Sequence, residues 1–290
     1  MTGHGRRWLE VRARGPEGDE RNDLLADGLV AIGGRAIEER DGWFVTHVEE
    51  PEELAAFLED ARARLAEVSG LGVVELETSW KAHEEWAETW RKGLAPRRIT
   101  ERLVVRPSWT EVADAREDDL VIVLDPGMAF GTAEHGTTRG CLRLLDGAVA
   151  AGEHVLDVGS GSGILAIAAV LLGAADVVAV ESDPLAWDAI TENTEANGVS
   201  GRVRLEGRAA DADWLRRQAP VGGIIANIET GVLMPLLPGF RDALAPGGWL
   251  ILSGIPADEW PDMRAATEAR SFGLVAMDAD GEWRSGLFRR

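Results

Sequence analysis

Three stretches of this chain carry residue types that could act together on one small molecule. The first is His154-Val155-Leu156-Asp157-Val158-Gly159-Ser160-Gly161-Ser162-Gly163-Ile164-Leu165. It reads as a buried strand, a glycine turn and the start of a helix. A second strand, Val177 to Val180, then ends directly on Glu181. Glycines let a backbone approach a ligand, and an acid at the next strand end takes up ribose hydroxyls, so the pair makes a nucleoside-binding crevice. The glycines Gly159, Gly161 and Gly163 run G-x-G-x-G, and Ile164 stands where a dinucleotide fingerprint has its third glycine. No Gly-Lys-Ser/Thr follows to cradle a triphosphate. A nucleoside without a diphosphate fits this spacing, and S-adenosylmethionine is the leading candidate. Asp157 has three readings: it braces the glycine loop, meets the methionine ammonium, or caps the helix. Asp183, before Pro184, starts the following helix.

The second stretch is Leu124-Asp125-Pro126-Gly127-Met128-Ala129-Phe130-Gly131-Thr132-Ala133-Glu134-His135-Gly136-Thr137-Thr138. It is long, glycine-rich and rich in hydroxyls, and loops of this length inside a domain usually serve function. Thr137 or Thr138 is placed to cap the helix through Leu142 and Leu145, a role compatible with ligand binding. His135 is either a base or a hydrogen-bonding residue that stabilises the loop. The third stretch is Ile224-Ile225-Ala226-Asn227-Ile228-Glu229-Thr230. Asn227 ends a strand expected beside the first one, where its amide both donates and accepts; a turn-former at a strand end is the plainer reading. Asn227, Ile228 and Phe130 are expected to shape a channel for an amine. Glu229 either attracts a cationic lysine or is a solvent-facing acid at a helix start.

The elements that must position these residues fall into two patterns. In residues 1–78, Trp8 to Val11 reads as a strand and Glu20 to Ile32 as a helix with Leu24, Leu25, Leu29 and Ile32 on one side. Arg35 to Arg40 and Trp43 to Val48 form a hairpin through Asp41-Gly42. Pro51 opens a helix whose stripe is Leu54, Phe57, Leu58, Ala61 and Leu65, and Val73 to Leu76 closes with a strand. The order βαββαβ is the ferredoxin-like α+β arrangement. This domain reads as a substrate-recognition module or, equally, a structural appendage. Residues 79–100 are expected to be a linker helix, with helical spacing from Trp80 to Leu94. Residues 101–290 begin with strands Arg102 to Arg106 and Leu120 to Leu124. From about residue 137 helices and strands alternate. Strands are expected at Val155 to Val158, Val177 to Val180, Val203 to Leu205, Gly223 to Ala226 and Trp249 to Ser253. Helices fall at Ile164 to Leu172, Leu185 to Asn197 and Val232 to Leu244, the last ended by Pro246-Gly247-Gly248. Two further strands, Leu274 to Met277 and Trp283 to Phe288, finish the chain. The expected fold class is α/β: a doubly wound, Rossmann-like sheet with its ligand crevice at strand carboxyl ends.

Composition narrows the function classes. The 290 residues suffice for about two domains. The formal net charge of −20 argues against gripping nucleic acid through phosphate neutralisation and suits a basic partner or simply a solvated surface. No apolar run reaches the ~18 residues of a membrane span, and no apolar segment follows the charged Met1-to-Arg7 start as in a secretory signal. Cys141 is the only cysteine, which suits a reducing, cytoplasmic setting, and it reads as a buried helix residue. No metal site is expected.

Taken together, these motifs resemble the ribosomal protein L11 methyltransferases, the PrmA family. The resemblance rests on LDPGMAFGTAEHGTT (124–138), VLDVGSGSGILAIAAVLLGAADVVAVESDP (155–184), ITENTEANGV (190–199), ANIETGVL (226–233) and GGWLILSGI (247–255), with ERLVVRPSW (101–109) and GEWRSGLFRR (281–290). It covers residues from about 100 onward strongly and residues 1–78 weakly. It implies a class I methyltransferase fold, S-adenosylmethionine as donor, and methylation of lysine ε-amines and the N-terminal α-amine of ribosomal protein L11. Cofactor positions carry over to Thr138, Gly159, Glu181 and Asn227, beside Asp157, Gly161 and Gly163 from the glycine turn. Two departures stand out: Ala133, Glu134 and Gly136 interrupt the family's Gly-Thr-Gly-Thr-His-Pro-Thr-Thr, and Glu229-Thr230 replace small or apolar residues. Glu181 replaces the family's usual Asp and keeps the charge. The competing readings are a methyltransferase for another protein lysine or a small amine, and a non-catalytic S-adenosylmethionine-binding protein. An adenine methyltransferase is disfavoured by the lack of Asn/Asp-Pro-Pro-aromatic, and a pyridine-nucleotide oxidoreductase by Ile164. Oligomeric state is not legible.

Overall fold

The computed structural model describes residues 7–16, 22, 24–33, 35–40, 42–51, 53–82, 95–125, 133 and 135–290. The chain divides into two compact units, Met1–Gly93 and Leu94–Arg290.

The first unit runs β1 (Arg7–Arg14), α1 (Leu24–Ala31), β2 (Arg35–Arg40), β3 (Trp43–Glu49), α2 (Leu54–Ser69) and β4 (Glu75–Ala82). Its sheet has the order β2-β3-β1-β4, with β1 antiparallel to both β3 and β4. This is the ferredoxin-like arrangement. Alternation along β1 explains the layering: Leu9, Val11 and Ala13 are buried with Leu25, Leu29 and Leu65 of the two helices, while Glu10 and Arg12 lie on the other face. The helices cross closely at Gly28, where a Cβ would stand 2.9 Å from Leu65 Cδ2. Gly70, at φ +64°, ends α2 in the left-handed conformation and returns its N–H to the Ala66 carbonyl. The helical spacing over Trp80 to Leu94 is corrected at its start. Trp80 to Ala82 belong to β4, where the ladder to β1 (Leu9 opposite Trp80) overrides the local pattern. The rest of that segment lies outside the described residues.

The second unit opens with a small sheet of β5 (Arg97–Arg98), β6 (Leu103–Arg106) and β7 (Leu120–Val123). Then follow α3 (Gly136–Ala148), β8 (His154–Val158), α4 (Ile164–Leu172), β9 (Asp176–Glu181), α5 (Pro184–Ala196), β10 (Val203–Gly207) and α6 (Ala212–Gln218). β11 (Val221–Asn227), α7 (Thr230–Ala243), β12 (Leu244–Pro256), α8 (Trp260–Glu268), β13 (Gly273–Asp280) and β14 (Trp283–Arg289) complete it. The seven-stranded sheet has the order β10-β9-β8-β11-β12-β14-β13. Strands β8 to β12 are parallel to their neighbours in that set, and β14 and β13 run antiparallel. This is the doubly wound, Rossmann-like α/β sheet expected from the sequence, closed at one edge by an antiparallel pair.

Both faces of the sheet are covered, so its strands read as nearly continuous apolar runs. Val155, Val177, Ile225 and Ile251 join one core with α3 and α4; Leu156, Val180, Ile224 and Leu252 join the other with α6, α7 and α8. Helix α4 is apolar all round, and Ile164 through Val170 are buried. Each such Leu or Ile contributes roughly 1.5–3 kcal/mol by leaving water. Helices α6 and α8 were not anticipated. Both are short, and α6 contributes only Trp214 and Leu215 to the core. Asp211 caps it by accepting from the Trp214 N–H at 2.7 Å. Helix α7 stops at Ala243 with Leu244 as its C-cap, as expected within one residue, and Pro246-Gly247-Gly248 follow it within the span of β12. Among the described residues, no helix is long and apolar enough to cross a membrane.

Candidate functional site

The sheet order reverses between β8 and β11. From β8 the chain moves outward through β9 to β10, then returns to lay β11 on the other side of β8. A crevice outside the carboxyl ends of these strands is the expected ligand position in such a sheet. The three stretches singled out from the sequence all reach it.

The glycine turn leaves β8 at Gly159, with Gly159, Gly161 and Gly163 at φ +74°, +53° and +80°. Only residues without a side chain adopt three such conformations in so short a run cheaply. The turn is pinned to β9: the Gly159 and Ser160 N–H groups both donate to the Val180 carbonyl, at 2.9 and 3.3 Å. At Gly159 a Cβ would lie 2.2 Å from Ile228 Cγ2, and at Gly254 one would lie 2.4 Å from the Ile228 carbonyl oxygen. Ile228 is therefore lodged between two glycines, and its position forbids side chains there.

Asp157 sits fully buried under this turn and accepts from the Ser160 hydroxyl at 2.7 Å. Burial pushes its carboxyl up to about 7, against the opposing Ser160 hydroxyl and Ala166 backbone N–H. It is not the cap of α4; that position is Gly163. The bracing geometry is the one present. Glu181 accepts from the Gly161 N–H at 2.9 Å through Oε2 and from the Asp183 N–H at 2.8 Å through Oε1. The Ser182 hydroxyl also donates to Oε1, at 3.5 Å. A carboxylate has about four acceptor sites, so capacity remains on Oε2 for a ribose hydroxyl. Asp183 caps α5 by accepting from the Leu185 N–H at 3.0 Å, with Pro184 in the first turn.

Across the sheet, Asn227 ends β11 opposite Ser253 of β12. Ser253 donates to the Thr137 carbonyl at 3.2 Å, so the first turn of α3 is fastened beside Asn227. Since that hydroxyl proton is used, Ser285 donates to Ser253 at 2.7 Å. The cap of α3 is His135, not Thr137 or Thr138, which lie buried within the first turn. His135 Nδ1 accepts from the Thr137 N–H at 3.4 Å, which requires an unprotonated Nδ1, and the Thr137 hydroxyl then donates to the same atom at 2.7 Å. Burial and the neighbouring Arg139 lower the His135 pKa, Glu282 and Asp280 opposing. The ring packs on Trp283 with centroids 4.9 Å apart. Phe130 lies outside the described residues, as do residues 126–132 and Glu134. Glu229 is exposed at the start of α7 and makes no side-chain cap.

Six buried side-chain atoms among the described residues have no hydrogen-bond partner, and four of them are here: Thr138 Oγ1, Asp157 Oδ1, Asn227 Oδ1 and Thr230 Oγ1. An unsatisfied buried polar atom costs about 1–3 kcal/mol, so such a concentration at a strand-end crevice marks groups that a polar ligand would satisfy. The residues fit S-adenosylmethionine: a glycine turn without side chains, an acid with acceptor capacity at the next strand, and unpaired polar atoms around them. A separate polar depression lies at the opposite end, around Glu101, Arg102 and Asp146, but there Arg102 already pairs with Asp146 at 2.6 Å. Sequence reading gave no role to Asn193, Asn197, Ser253, Asp280 or Trp283. The signal available for Ser253 was a hydroxyl ending a central apolar strand.

A family model described as "Ribosomal protein L11 methyltransferase (PrmA)" matches residues 38–290. A ribosomal protein L11 methyltransferase from Pelotomaculum thermopropionicum is 42% identical over 259 residues, 89% of this chain and 79% of the relative. One from Streptococcus pneumoniae strain Hungary19A-6 is 36% identical over 298 residues, 93% of each chain. Among solved structures, a ribosomal protein L11 methylase from Lactobacillus delbrueckii subsp. bulgaricus is 31% identical with a TM-score of 0.61, covering 67% of this chain and 98% of that one.

Proposed function

This chain belongs to the ribosomal protein L11 methyltransferase family, PrmA, and is a methyltransferase; we propose that it methylates lysine ε-amines and the N-terminal α-amine of ribosomal protein L11 with S-adenosylmethionine as donor. The observation that carries the donor assignment is the cluster of unpartnered polar atoms around the glycine turn. Gly159, Gly161 and Gly163 would line the cofactor with backbone, Glu181 would take the ribose, and Thr138, Asp157 and Asn227 would serve its polar groups. When bound, the cofactor supplies an activated methyl group on a good leaving group.

The chain's own task is then to place a neutral amine. A free lysine has pKa ~10.4, so deprotonating it at pH 7 costs about 4–5 kcal/mol. Holding the reacting atoms in line is worth roughly 7–11 kcal/mol of barrier, so positioning outweighs protonation and a strong base is not required. His135 supports this reading: its Nδ1 is committed to capping α3. Asn227 and Ile228, with Phe130, would form the amine channel, and the exposed Glu229 would attract the cationic lysine before it enters. The first unit, with strands β1 to β4, would recognise the substrate, and the second, from Leu94 to Arg290, would catalyse. A net charge of −20 suits a basic protein partner, without nucleic acid or membrane, in the cytoplasm.

Mass spectrometry of purified ribosomal protein L11 after incubation with this protein and S-adenosylmethionine tests the proposal. Mass gains in whole methyl increments are expected, and they should be lost with Asn227→Ala. No gain, with S-adenosylhomocysteine still bound in calorimetry, would reject this substrate and leave another protein lysine or a small amine as acceptor.

A further inference from the structure

The stretch ITENTEANGV contains two asparagines one helical turn apart, Asn193 and Asn197, which share a face of the α5 helix end. Asn193 is 4% exposed, and its Nδ2 donates to the Ser162 carbonyl, inside the glycine turn, at 2.9 Å. Asn197 is the C-cap of α5. Its Oδ1 accepts from the Val123 N–H at 2.8 Å, and its Nδ2 donates to the Val123 carbonyl at 2.6 Å and to the Asn193 carbonyl at 2.8 Å.

A side-chain amide offers the same donor and acceptor as a peptide group. Asn197 thus reproduces one rung of a β-ladder on β7, the edge strand of the small sheet, at its last residue. From there the chain passes through Leu124 to α3 and Thr138. The same helix begins three residues after Glu181, whose Oε1 holds the Asp183 N–H. One rigid helix therefore touches the proposed ribose acid at its start, the glycine turn near its end and the last residue of β7 at its cap.

We propose that Asn193 and Asn197 are a positioning pair: Asn193 sets the glycine turn for the cofactor, and Asn197 fixes the end of the helix that carries Asn193 by gripping the last residue of β7. The proposal rests on the cofactor reading given above. Methyl transfer depends on the placement of the bound cofactor, and a 1 Å error can cost about 100-fold in rate. A helix clamped to both the glycine turn and β7 is a direct way to hold that placement. The amide chemistry is specific. Asp at 197 would keep the bond from the Val123 N–H but turn a carboxylate oxygen toward two carbonyls, so it should do no better than Ala.

The test compares N193A, N197A and N197D with wild type and with Thr267→Ala. That last change removes a buried 2.8 Å hydrogen bond to the Met263 carbonyl in α8 and controls for simple destabilisation. Three quantities are read well below every Tm: the Kd of S-adenosylhomocysteine by calorimetry, hydrogen exchange of the Val123 amide, and kcat on ribosomal protein L11. N193A should weaken S-adenosylhomocysteine about tenfold, the loss expected for one buried hydrogen bond. N197A should speed Val123 exchange about tenfold and weaken S-adenosylhomocysteine about threefold, less than N193A because the Ser162 bond remains, with kcat lowered in both. N197D should match N197A. Wild-type Kd and kcat in both alanine variants, with only Tm lowered as in Thr267→Ala, would overturn the proposal; so would an N197D variant that behaves as wild type. If wild type binds no S-adenosylhomocysteine, the cofactor reading fails and this inference with it. If wild type binds it but leaves ribosomal protein L11 unmodified, only the substrate is wrong, and the Kd split and Val123 exchange still decide.

Discussion

The junctions that lead into α3 and α4 face the same crevice but are built in opposite ways. The entry to α4 is local: three glycines at positive φ, one acid beneath them and a serine three residues on that bonds to it. The entry to α3 is assembled from afar. Ala133 adopts φ +63° although it carries a side chain, and Arg139, whose NH1 reaches the Ala133 carbonyl, is held by Asp280, 141 residues away. His135 leans on Trp283, and the Thr137 carbonyl is held by Ser253. A turn that needs no side chains can be written in its own few residues. A turn that tolerates a side chain at a left-handed position needs the rest of the fold to hold it.

Breaking the local junction should cost most. Gly159→Ala combines a left-handed φ with a contact at 2.2 Å to Ile228 Cγ2. It should lose roughly 2–5 kcal/mol of stability and all measurable S-adenosylhomocysteine binding. The midpoint and slope of urea unfolding, with calorimetry, would show it. Adding Ile228→Ala removes the clash but not the φ strain, so the double mutant should recover about 1 kcal/mol relative to additivity.

The remote junction should yield less at each point. Asp280→Asn removes the carboxylate that Arg139 and Arg143 share, at 2.7 and 2.9 Å, and should cost about 1–3 kcal/mol. Those two guanidinium groups hold the Asp280 pKa well below the usual carboxylate range. Its stabilisation is therefore complete above that ordinary range and is lost as pH falls through the folded value. The gap between wild type and Asp280→Asn should accordingly shrink in urea melts below about pH 4.

His135→Asn sharpens the comparison further, because Asn is a good N-cap that does not titrate. It should stay within about 0.5 kcal/mol of wild type at pH 8. Because the folded His135 pKa is lowered, the wild-type contribution is present above the ordinary value of 6.5 and falls away below it. The variant should flatten that part of the stability profile. Ala133→Gly should have the smallest effect. Relief of the left-handed strain, roughly 1 kcal/mol, is offset by about 0.5–1 kcal/mol of added chain entropy, so Tm should barely move. A large gain would mean that the remote contacts do not hold the junction as described.

This contrast also describes what could be read without the fold. The βαββαβ unit, the alternating half and the neighbouring placement of Asn227 and Gly159 follow from periodicity and strand-end chemistry. So does Asp183 as the cap of α5, since Asp-Pro before an apolar helix has few other uses. Thr137 and Thr138 are natural choices for the α3 cap, yet His135 takes it, with its ring packed on Trp283. Strand character at Trp80 was hidden by helical spacing, and the pairing with Leu9 decided it. Helix α8 was obscured by its length and by its start at Trp260-Pro261.

The chain by itself determined what depends on neighbours in sequence: the period of its strands and helices, the glycines that admit positive φ, and the acid at the end of β9. Only the tertiary structure decided which distant side chains meet. It brought Asp280 and Trp283 to the α3 entry, Ser253 to Thr137, Asn193 to the glycine turn and Asn197 to Val123. The physical reason is that backbone conformation is largely a local preference, whereas a hydrogen bond between side chains far apart in sequence exists only after the sheet order has closed the loop between them.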